Sequence, residues 1–212
     1  MSRSRPPAVA IINPVAGPAA RRAGRAESAT LVQRVCTSAG VSCEVAFTKR
    51  PGHAGELAAD FHGRGFSPII AWGGDGTVNE VASALAFRDG VMAIVPTGSG
   101  NGLSRELGIS LDPLRALETA VRGLDRTIDL GELGGRLFVN LAGIGLDAAV
   151  ASAFSQLPGR GLRRYVHATL STVFRYTSDI YRIGTDAQTD FFEGRALIVE
   201  LANGTQFGNS AM

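Results

Sequence analysis

Short apolar runs and amphipathic segments alternate along the first half of the chain. Three runs have the length and composition of strands buried on both faces, and a fourth alternates between apolar and polar residues. Between them lie segments with apolar residues at helical spacing. This alternation predicts a doubly wound α/β domain, with helices on both faces of a parallel sheet. The predicted strands are Ala8–Asn13, Ser42–Thr48, Pro68–Trp72 and Val91–Val95, and the predicted helices between them are Ala19–Ala39, which stops at Gly40, and Ala54–His62, which Gly63 closes.

The pattern changes after Arg122, where strand-like segments predominate. A predicted turn at Gly134-Gly135 joins two of them, and one amphipathic helix interrupts the series. This pattern predicts a mostly β, sandwich-like second domain with an inserted helix. We place the boundary near residue 125, which gives domains of 1–125 and 126–212. The predicted strands are Thr127–Leu133, Leu137–Ala142, Ile180–Ile183 and Ala196–Ala202, and the predicted helix is Arg163–Tyr176.

Composition and charge narrow the classes of function. The chain has 212 residues, of which 45% are hydrophobic and 19% are charged, as is usual for a globular protein. A net charge of +2 gives no argument for nucleic-acid binding, which needs a concentrated basic face. No apolar run approaches the roughly 20 residues of a membrane-spanning helix, so any membrane contact is expected to be peripheral. The two cysteines, Cys36 and Cys43, are expected to be free thiols among apolar residues.

Three glycine-rich turns each follow a predicted strand and precede a predicted helix. They are Asn13-Pro-Val-Ala-Gly17, Gly73-Gly-Asp-Gly-Thr77 and Pro96-Thr-Gly-Ser-Gly-Asn101. In an open parallel sheet such turns lie at the carboxyl ends of the strands, where ligands bind. Glycine allows close approach of the backbone, and the N–H groups of a turn and of a helix start attract phosphate. Three turns in the same topological position therefore predict a phosphate-binding site.

The second turn contains the most informative side chains. Thr77 and Glu80 match a capping box, and Val78, Val81, Ala82 and Leu85 give the following helix an apolar face. Asp75 has no comparable explanation, because it lies between glycines at the start of that helix. Three roles are open to its carboxylate: interaction with the helix dipole, a ligand of Mg²⁺ on ATP phosphates, or acceptance of a proton from an attacking hydroxyl.

The segment Gly73-Gly-Asp-Gly-Thr-Val-Asn-Glu80 resembles the nucleotide-binding motif of the diacylglycerol and sphingosine kinase family. Its Gly-Gly-Asp-Gly core also occurs in NAD kinases and 6-phosphofructokinases. Four further segments narrow the resemblance to lipid kinases. The first and third turns look like the family's opening motif and its third nucleotide loop. Thr48 with His53-Ala54 looks like the family's adenosine-side contact. The segment Asn140-Leu-Ala-Gly-Ile-Gly-Leu-Asp147 resembles the entry to the β-sandwich domain.

The resemblance implies ATP as cofactor, with Mg²⁺ on its phosphates. It implies that Asp75 lies closest to the transferred group, as catalytic residue and as Mg²⁺ ligand. It also implies that Asp147 faces the lipid headgroup, although an N-cap of a helix over Ala148–Phe154 explains Asp147 nearly as well. The positions implied for nucleotide binding are Asn13, Pro14, Gly17, Thr48, Gly73, Gly74, Asp75, Gly76, Thr77, Asn79, Glu80, Gly98, Ser99, Gly100 and Asn101.

Two departures from the family's pattern affect the expected substrate and the expected extent of the chain. Gly102 stands where many bacterial diacylglycerol kinases have Asp, and in this respect the segment resembles sphingosine and ceramide kinases. The last residues, Asn203–Met212, resemble a segment well inside the family's β-sandwich. The family's later Asp-Gly-Glu segment, which supplies a catalytic carboxylate in the diacylglycerol kinase branch, is absent. We therefore expect the second domain to be incomplete in this chain.

The expected function is that of an ATP-dependent lipid kinase, which transfers the γ-phosphate to a hydroxyl of diacylglycerol, a sphingoid base or a related lipid. One alternative is an NAD kinase-like enzyme that acts on a soluble nucleotide. Another is a nucleotide- or lipid-binding fragment without turnover. The expected partner is a membrane lipid, reached by peripheral contact at the cytoplasmic face of the inner membrane. We also expect no nucleic-acid partner, and a homodimer is a further hypothesis.

Overall fold

A computed structural model describes residues 5–156, 173, 176–184 and 191–204, without the side chains of 18–23, 147, 151, 154–156 and 191. Of the described residues, 5–140 and 203–204 form one compact unit, and those between 141 and 202 form another. No helix in these ranges is both long and apolar enough to span a membrane.

A four-stranded parallel sheet forms the centre of the first unit. Its strands are β1 (Ala8–Ile12), β2 (Cys43–Phe47), β3 (Ile69–Gly73) and β4 (Met92–Pro96), in the order β2-β1-β3-β4. The chain builds outward from β1 to β2 and then crosses to β3 on the other side of β1. This reversal creates a switch point at the carboxyl ends of β1 and β3, where ligands bind in doubly wound folds. The predicted fold class is confirmed.

Helices cover both faces of this sheet. The five helices of the unit are α1 (Gly17–Ser38), α2 (His53–Gly63), α3 (Asp75–Leu85), α4 (Gly102–Glu106) and α5 (Pro113–Arg122). Alternate strand residues enter two apolar cores because neighbouring side chains of a strand point to opposite faces. Val9 and Ile11 pack in one core with residues of α2 and α3, and Ile12 and Ile70 pack in the other with residues of α1 and α5.

The helices α1 and α2 lie within two residues of their predicted bounds, and α4 begins directly after the third turn, where the sequence predicts a helix without bounds; α5 was not predicted. The start of α5 has a clear sequence signal. Asp112 is its N-cap and accepts a hydrogen bond from Leu114 N at 3.0 Å, and Pro113 occupies the first turn. The short helix α4 follows Asn101, which has a φ of +55°. A helix of five residues is too short for its apolar residues to show a helical period, so the sequence pattern does not give its bounds.

The region after α5 differs in detail from the predicted strands. Only the end of the predicted strand Thr127–Leu133 is a strand, β5 (Gly131–Leu133), which pairs with β6 (Arg136–Phe138) through the predicted Gly134-Gly135 turn. Both glycines have positive φ, 57° and 75°, as a two-residue hairpin turn requires. The predicted strand Leu137–Ala142 is divided in two, because Val139 N donates to the side chain of Asn79. Its second part begins β7 (Leu141–Gly145).

The described part of the second unit is mostly β, as predicted, and the helix described in it is not the predicted helix Arg163–Tyr176. It contains β7, α6 (Leu146–Gln156), β8 (Asp179–Gly184), β9 (Phe191–Ala196) and β10 (Ile198–Ala202), with antiparallel pairs β7–β10 and β8–β9. The predicted strand Ala196–Ala202 is interrupted at Leu197, whose carbonyl oxygen accepts a hydrogen bond from Leu146 N at 2.8 Å. The strand β9 was missed. The predicted helix Arg163–Tyr176 lies outside the described residues except at its position 173 and its last residue.

The first compact unit extends past residue 125, the position near which the sequence pattern places the boundary between the two domains. The β5–β6 hairpin belongs to it, and the chain returns to it at Asn203. Asn203 N donates to Asn140 O at 2.8 Å, and its side-chain amide donates to Asp129 O at 2.7 Å. These contacts depend on residues far apart in sequence, so a change of local composition could not reveal them.

Candidate active site

The strand register places three candidate positions in a row at the carboxyl edge of the sheet. Ile12 pairs with Phe47 on one side and with Trp72 on the other, so Asn13 lies between Thr48 and Gly73. The pairing of Gly73 with Pro96 continues the row into the third turn. The three turns therefore meet at the switch point, as the sequence predicts.

Asn13 connects the first turn to the second. Its Oδ1 accepts a hydrogen bond from Val15 N at 3.1 Å, and its Nδ2 donates to Thr77 Oγ1 at 3.1 Å. Pro14 lies inside this turn, which the bond from Ala16 N to Asn13 O closes at 3.2 Å. The side chain of Asn13 therefore determines the shape of the turn and fixes the turn against α3.

Gly17 connects the first turn to the third. It has a φ of +78°, and a Cβ at this position would collide with the carbonyl oxygen of Thr97. Both the backbone conformation and the lack of space thus require glycine at this position.

Glycines also bring the second and third turns into backbone contact. A Cβ on Gly98 would lie 2.6 Å from the Cα of Gly74, and a Cβ on Gly74 would lie 3.1 Å from the Cα of Gly98. A Cβ on Gly73 would lie 2.5 Å from the side chain of Thr77. Gly76 differs, because a Cβ there would meet no atom within 4 Å. Three of these four glycines are therefore needed for packing within the turns.

Asp75 is the first residue of α3, and its carboxylate holds the third turn. Oδ2 accepts a hydrogen bond from Asn101 N at 2.9 Å, and Oδ1 accepts one from Gly102 N at 2.7 Å. The carboxylate is more constrained than the sequence suggests, because a Cβ on Gly100 would lie 2.8 Å from Oδ2. The residue as a whole is exposed. Since a carboxylate oxygen has two lone pairs, each can still accept a second contact from the solvent side.

Asn101 closes the third turn on itself. Its Oδ1 accepts a hydrogen bond from Gly98 N and its Nδ2 donates to Gly98 O, both at 2.9 Å. The side chain is buried, so its amide shapes the turn. Ser99, by contrast, is exposed at the tip of the turn.

The predicted capping box at Thr77 and Glu80 is wrong. The N-cap of α3 is Gly74, and no side chain caps this helix, so Thr77 lies at its third residue. The carboxylate of Glu80 instead accepts hydrogen bonds from Gly52 N at 2.9 Å and Ala54 N at 3.0 Å. Glu80 therefore caps α2 and fixes the loop after β2.

Asn79 is the candidate that the structure places away from the turns. Its Nδ2 donates to Leu137 O and its Oδ1 accepts from Val139 N, both at 3.1 Å. The side chain forms the pair of bonds that a neighbouring strand would form, and so it attaches the segment 137–139 to α3.

Asp147 lies in the second unit, within the first turn of α6, which begins at Leu146. The alternative explanation of Asp147 as an N-cap is therefore wrong. Its side chain is outside the described part of the structure. The described residues contain no group of three or more His, Cys, Asp or Glu side chains that could hold a metal ion.

The sequence reasoning missed two side chains at the third turn. Arg105 Nε donates to Gly100 O at 3.0 Å, and the amide of Asn140 lies where a Cβ on Gly102 would be. Asn140 thus explains why a glycine is required at position 102. Arg105 is one helical turn after Asn101, and this spacing would have indicated Arg105 had the extent of the helix after the third turn been predicted.

The fold and this edge of the sheet define a doubly wound α/β protein with a cluster of three glycine-rich turns at its switch point. The family model described as "Diacylglycerol kinase catalytic domain" matches residues 7–133. The chain belongs to this family.

Individual relatives agree with this assignment. The chain is 34% identical over 196 residues to a "Probable lipid kinase YegS-like" of Pseudomonas aeruginosa. This alignment covers 89% of this chain and 62% of that protein. The chain is 37% identical over 138 residues to a "Diacylglycerol kinase" of Bacillus subtilis. That alignment covers 64% of this chain and 44% of the relative. The crystal structure of a putative diacylglycerol kinase from Bacillus anthracis superposes with a TM-score of 0.72 at 26% identity, over 95% of this chain and 66% of that one. The chain thus spans about half to two thirds of the length of these relatives.

Proposed function

We propose that this chain carries the nucleotide site of an ATP-dependent lipid kinase, which transfers the γ-phosphate to a hydroxyl of diacylglycerol, a sphingoid base or a related lipid. Family membership and the names of the relatives support the reaction class. The observation that carries the proposal is the backbone contact of Gly74 and Gly98 beside the uncapped start of α3.

The start of α3 supplies the expected phosphate contacts. The first N–H groups of a helix have no partner within the helix, and the helix dipole adds positive potential there. The hydrogen bond from Val78 N to Gly74 O is the first of α3, and no side chain caps the groups before it. The close contact of Gly74 with Gly98 brings the third turn beside these N–H groups, where phosphate oxygens would bind. Thr48 and Asn13, farther along the row, would face the adenosine side.

Asp75 is the side chain that we expect nearest the transferred group. Phosphoryl transfer requires mainly positioning and neutralisation of charge. The two oxygens of Asp75 are held by Asn101 N and Gly102 N, which fixes their direction. A free lone pair on either oxygen could accept the proton of the lipid hydroxyl or bind Mg²⁺. Mg²⁺ is commonly held by one or two carboxylates together with substrate phosphates, so one carboxylate at the turns fits it. When bound, Mg²⁺ would neutralise phosphate charge.

The lipid side of the reaction is assigned to the second unit. We propose that Asp147 contacts the lipid headgroup and that the protein acts as a peripheral enzyme at the cytoplasmic face of the inner membrane. A homodimer remains part of the proposal.

The test compares Asp75→Asn with the unchanged protein in a transfer assay. Radiolabelled [γ-³²P]ATP is offered with diacylglycerol, sphingosine and NAD as separate acceptors. We expect a lipid product, and a loss of at least about 10²-fold in rate for Asp75→Asn. The matched control is Asp89→Asn, which changes an exposed aspartate in the loop after α3 and should retain the rate.

Measurement of ATP affinity by calorimetry distinguishes a role of Asp75 in phosphoryl transfer from a role in ATP binding. If Asp75→Asn keeps its ATP affinity and loses turnover, the carboxylate acts in the transfer. If ATP affinity falls to the same extent as the rate, the carboxylate acts through ATP binding, by holding the third turn or Mg²⁺. Phosphorylation of NAD but no lipid would assign the chain to the soluble-nucleotide class, and ATP binding without transfer to any acceptor would contradict a kinase activity of this chain.

A further inference from the structure

A cleft of about 200 Å³ lies in the first unit, next to the third turn. Its lining includes Leu103 and Glu106 of α4 and the segment 126–129, which precedes β5. Asn140 and Gly204 also line the cleft, and both belong to the first unit. The cleft therefore combines apolar and polar groups within a single compact unit.

Asn140 connects this cleft to the carboxylate of Asp75. Its Nδ2 occupies the place of a Cβ on Gly102, and that Cβ would lie 3.8 Å from Asp75 Oδ1. A Cβ on Gly204 would lie 3.1 Å from Asn140 Oδ1 and 3.4 Å from Glu106 Oε2. The two glycines thus make room for the amide between the carboxylates of Asp75 and Glu106.

The side-chain amide of Asn140 retains its capacity to bind a ligand. Its backbone oxygen accepts a hydrogen bond from Asn203 N at 2.8 Å, but its Nδ2 and Oδ1 form none with the residues that the structure describes. A side-chain amide offers two N–H donors and two acceptor lone pairs. Because Asn140 is half-buried at the cleft, a hydroxyl group that enters the cleft can pair with this amide.

We propose that the cleft is the subsite for the headgroup of the acceptor, and that Asn140 and Glu106 determine which headgroup it takes. This inference rests on the proposed function and adds to it the place where the acceptor meets the first unit. The chemistry that fits is a short headgroup with hydroxyl groups, which diacylglycerol and a sphingoid base share. The reacting hydroxyl lies between Asn140 and Asp75, and the carboxylate of Glu106 binds a second polar group of the headgroup.

The size and the charge of the cleft favour such a headgroup over a dinucleotide. A cavity of about 150 Å³ holds a benzene molecule, so about 200 Å³ accommodates a glyceryl group but not NAD. Among the described lining residues, the acidic Glu106 and Asp129 outnumber the basic Arg126. Carboxylate oxygens accept hydrogen bonds from hydroxyl or ammonium groups, whereas they repel a pyrophosphate.

The first test is a methyl NMR titration of the unchanged chain with labelled leucine and valine. Dihexanoylglycerol, sphingosine in a non-ionic detergent, and NAD are added separately, with the detergent alone as a blank. We expect either lipid to shift the methyl signals of Leu103, Leu107 and Val139, which line the cleft, and NAD to leave them in place. The methyl signals of Leu31, in the core on the other face of the sheet, should not respond. No shift with either lipid, or a shift with NAD, would overturn the proposal, and the lipid that acts at lower concentration identifies the source of the headgroup.

The second test is Asn140→Asp in the transfer assay, with Gln33→Glu as the matched control on an exposed amide of α1. Loss of the Nδ2 donor should raise the KM for the lipid by at least about 10-fold, without a change in ATP affinity by calorimetry. Glu106→Gln should raise the KM for sphingosine more than that for diacylglycerol, because an ammonium group loses a charged partner. An unchanged lipid KM in Asn140→Asp, or an equal loss of ATP affinity, would contradict the assigned role of Asn140.

The two tests distinguish this inference from the proposed function. If the unchanged chain phosphorylates lipid while the cleft signals and the variants show no effect, the subsite is rejected and the kinase activity stands. If lipid shifts the cleft signals but no phosphate is transferred, the kinase activity is rejected and the subsite stands. In that case the variants are compared by the Kd for lipid from the NMR titration, with the same expected order.

Discussion

Glu80 offers the sharpest test of how the candidate site is held together. Its carboxylate accepts hydrogen bonds from Gly52 N at 2.9 Å and Ala54 N at 3.0 Å and so caps α2 across sequence separations of 28 and 26 residues. The N-cap position of α2 is Gly52 at a φ of +81°, which has no side chain to cap the helix itself. In Glu80→Gln one acceptor oxygen becomes an NH₂ group, which leaves one of the two N–H groups without a partner.

The expected cost follows from the two bonds. Loss of a helix N-cap costs about 1 kcal/mol, and a hydrogen bond to a charged acceptor contributes about 1.5–3 kcal/mol. Because Glu80 is partly exposed and one bond survives, we expect the free energy of unfolding to fall by about 1–2 kcal/mol in Glu80→Gln. Urea unfolding followed by Trp72 fluorescence measures this change, since Trp72 is the single tryptophan and is 2% exposed in the core of the first unit.

The control is Glu56→Gln in the first turn of the same helix. Glu56 forms an exposed ion pair with Arg50 at 2.7 Å, and exposed pairs contribute about 0–1 kcal/mol. We expect this control to stay within about 0.5 kcal/mol of the unchanged chain. If Glu80→Gln were no more destabilising than Glu56→Gln, the capping role of Glu80 would be refuted.

Two further substitutions test the packing of the turns and the attachment of the segment after α5. Gly98→Ala would place a Cβ 2.6 Å from the Cα of Gly74, so we expect a loss of about 1–3 kcal/mol in urea unfolding and of ATP binding by calorimetry. Gly76→Ala has open space and should unfold as the unchanged chain does; equal stability of the two variants would contradict the packing argument. Asn79→Ala removes both bonds to the segment 137–139, and we expect a loss of about 1–3 kcal/mol, which Asn79→Asp should partly restore by keeping the acceptor for Val139 N. No restoration by Asp would count against that bond.

Part of the candidate site could be predicted because it follows from local rules. A buried apolar run followed by glycines and then by a helical pattern indicates a turn at the carboxyl end of a parallel strand. That rule correctly brought Asn13, Gly74 and Gly98 to one edge. The identity of the glycines was also informative, since Gly17 and Gly98 have no room for a Cβ.

The roles of the polar side chains could not be predicted in this way. Thr77 and Glu80 satisfy the local signature of a capping box, yet Glu80 caps a different helix. Asp75 looked unencumbered between its glycines, but its carboxylate binds backbone groups 26 and 27 residues away. A hydrogen-bond partner that is distant in sequence produces no local sequence pattern. The capping-box pattern therefore suggested a local role for Glu80 that the structure does not show.

The sequence by itself determined the alternation of strands and helices, the position of the three turns, and the motif by which the family can be identified. These depend on periodicity and on glycine chemistry, which act over a few neighbouring residues. Only the tertiary structure decided which segment each polar side chain of the motif holds and where the first compact unit ends. Those outcomes depend on the strand order β2-β1-β3-β4 and on its register, which bring together residues that are far apart along the chain.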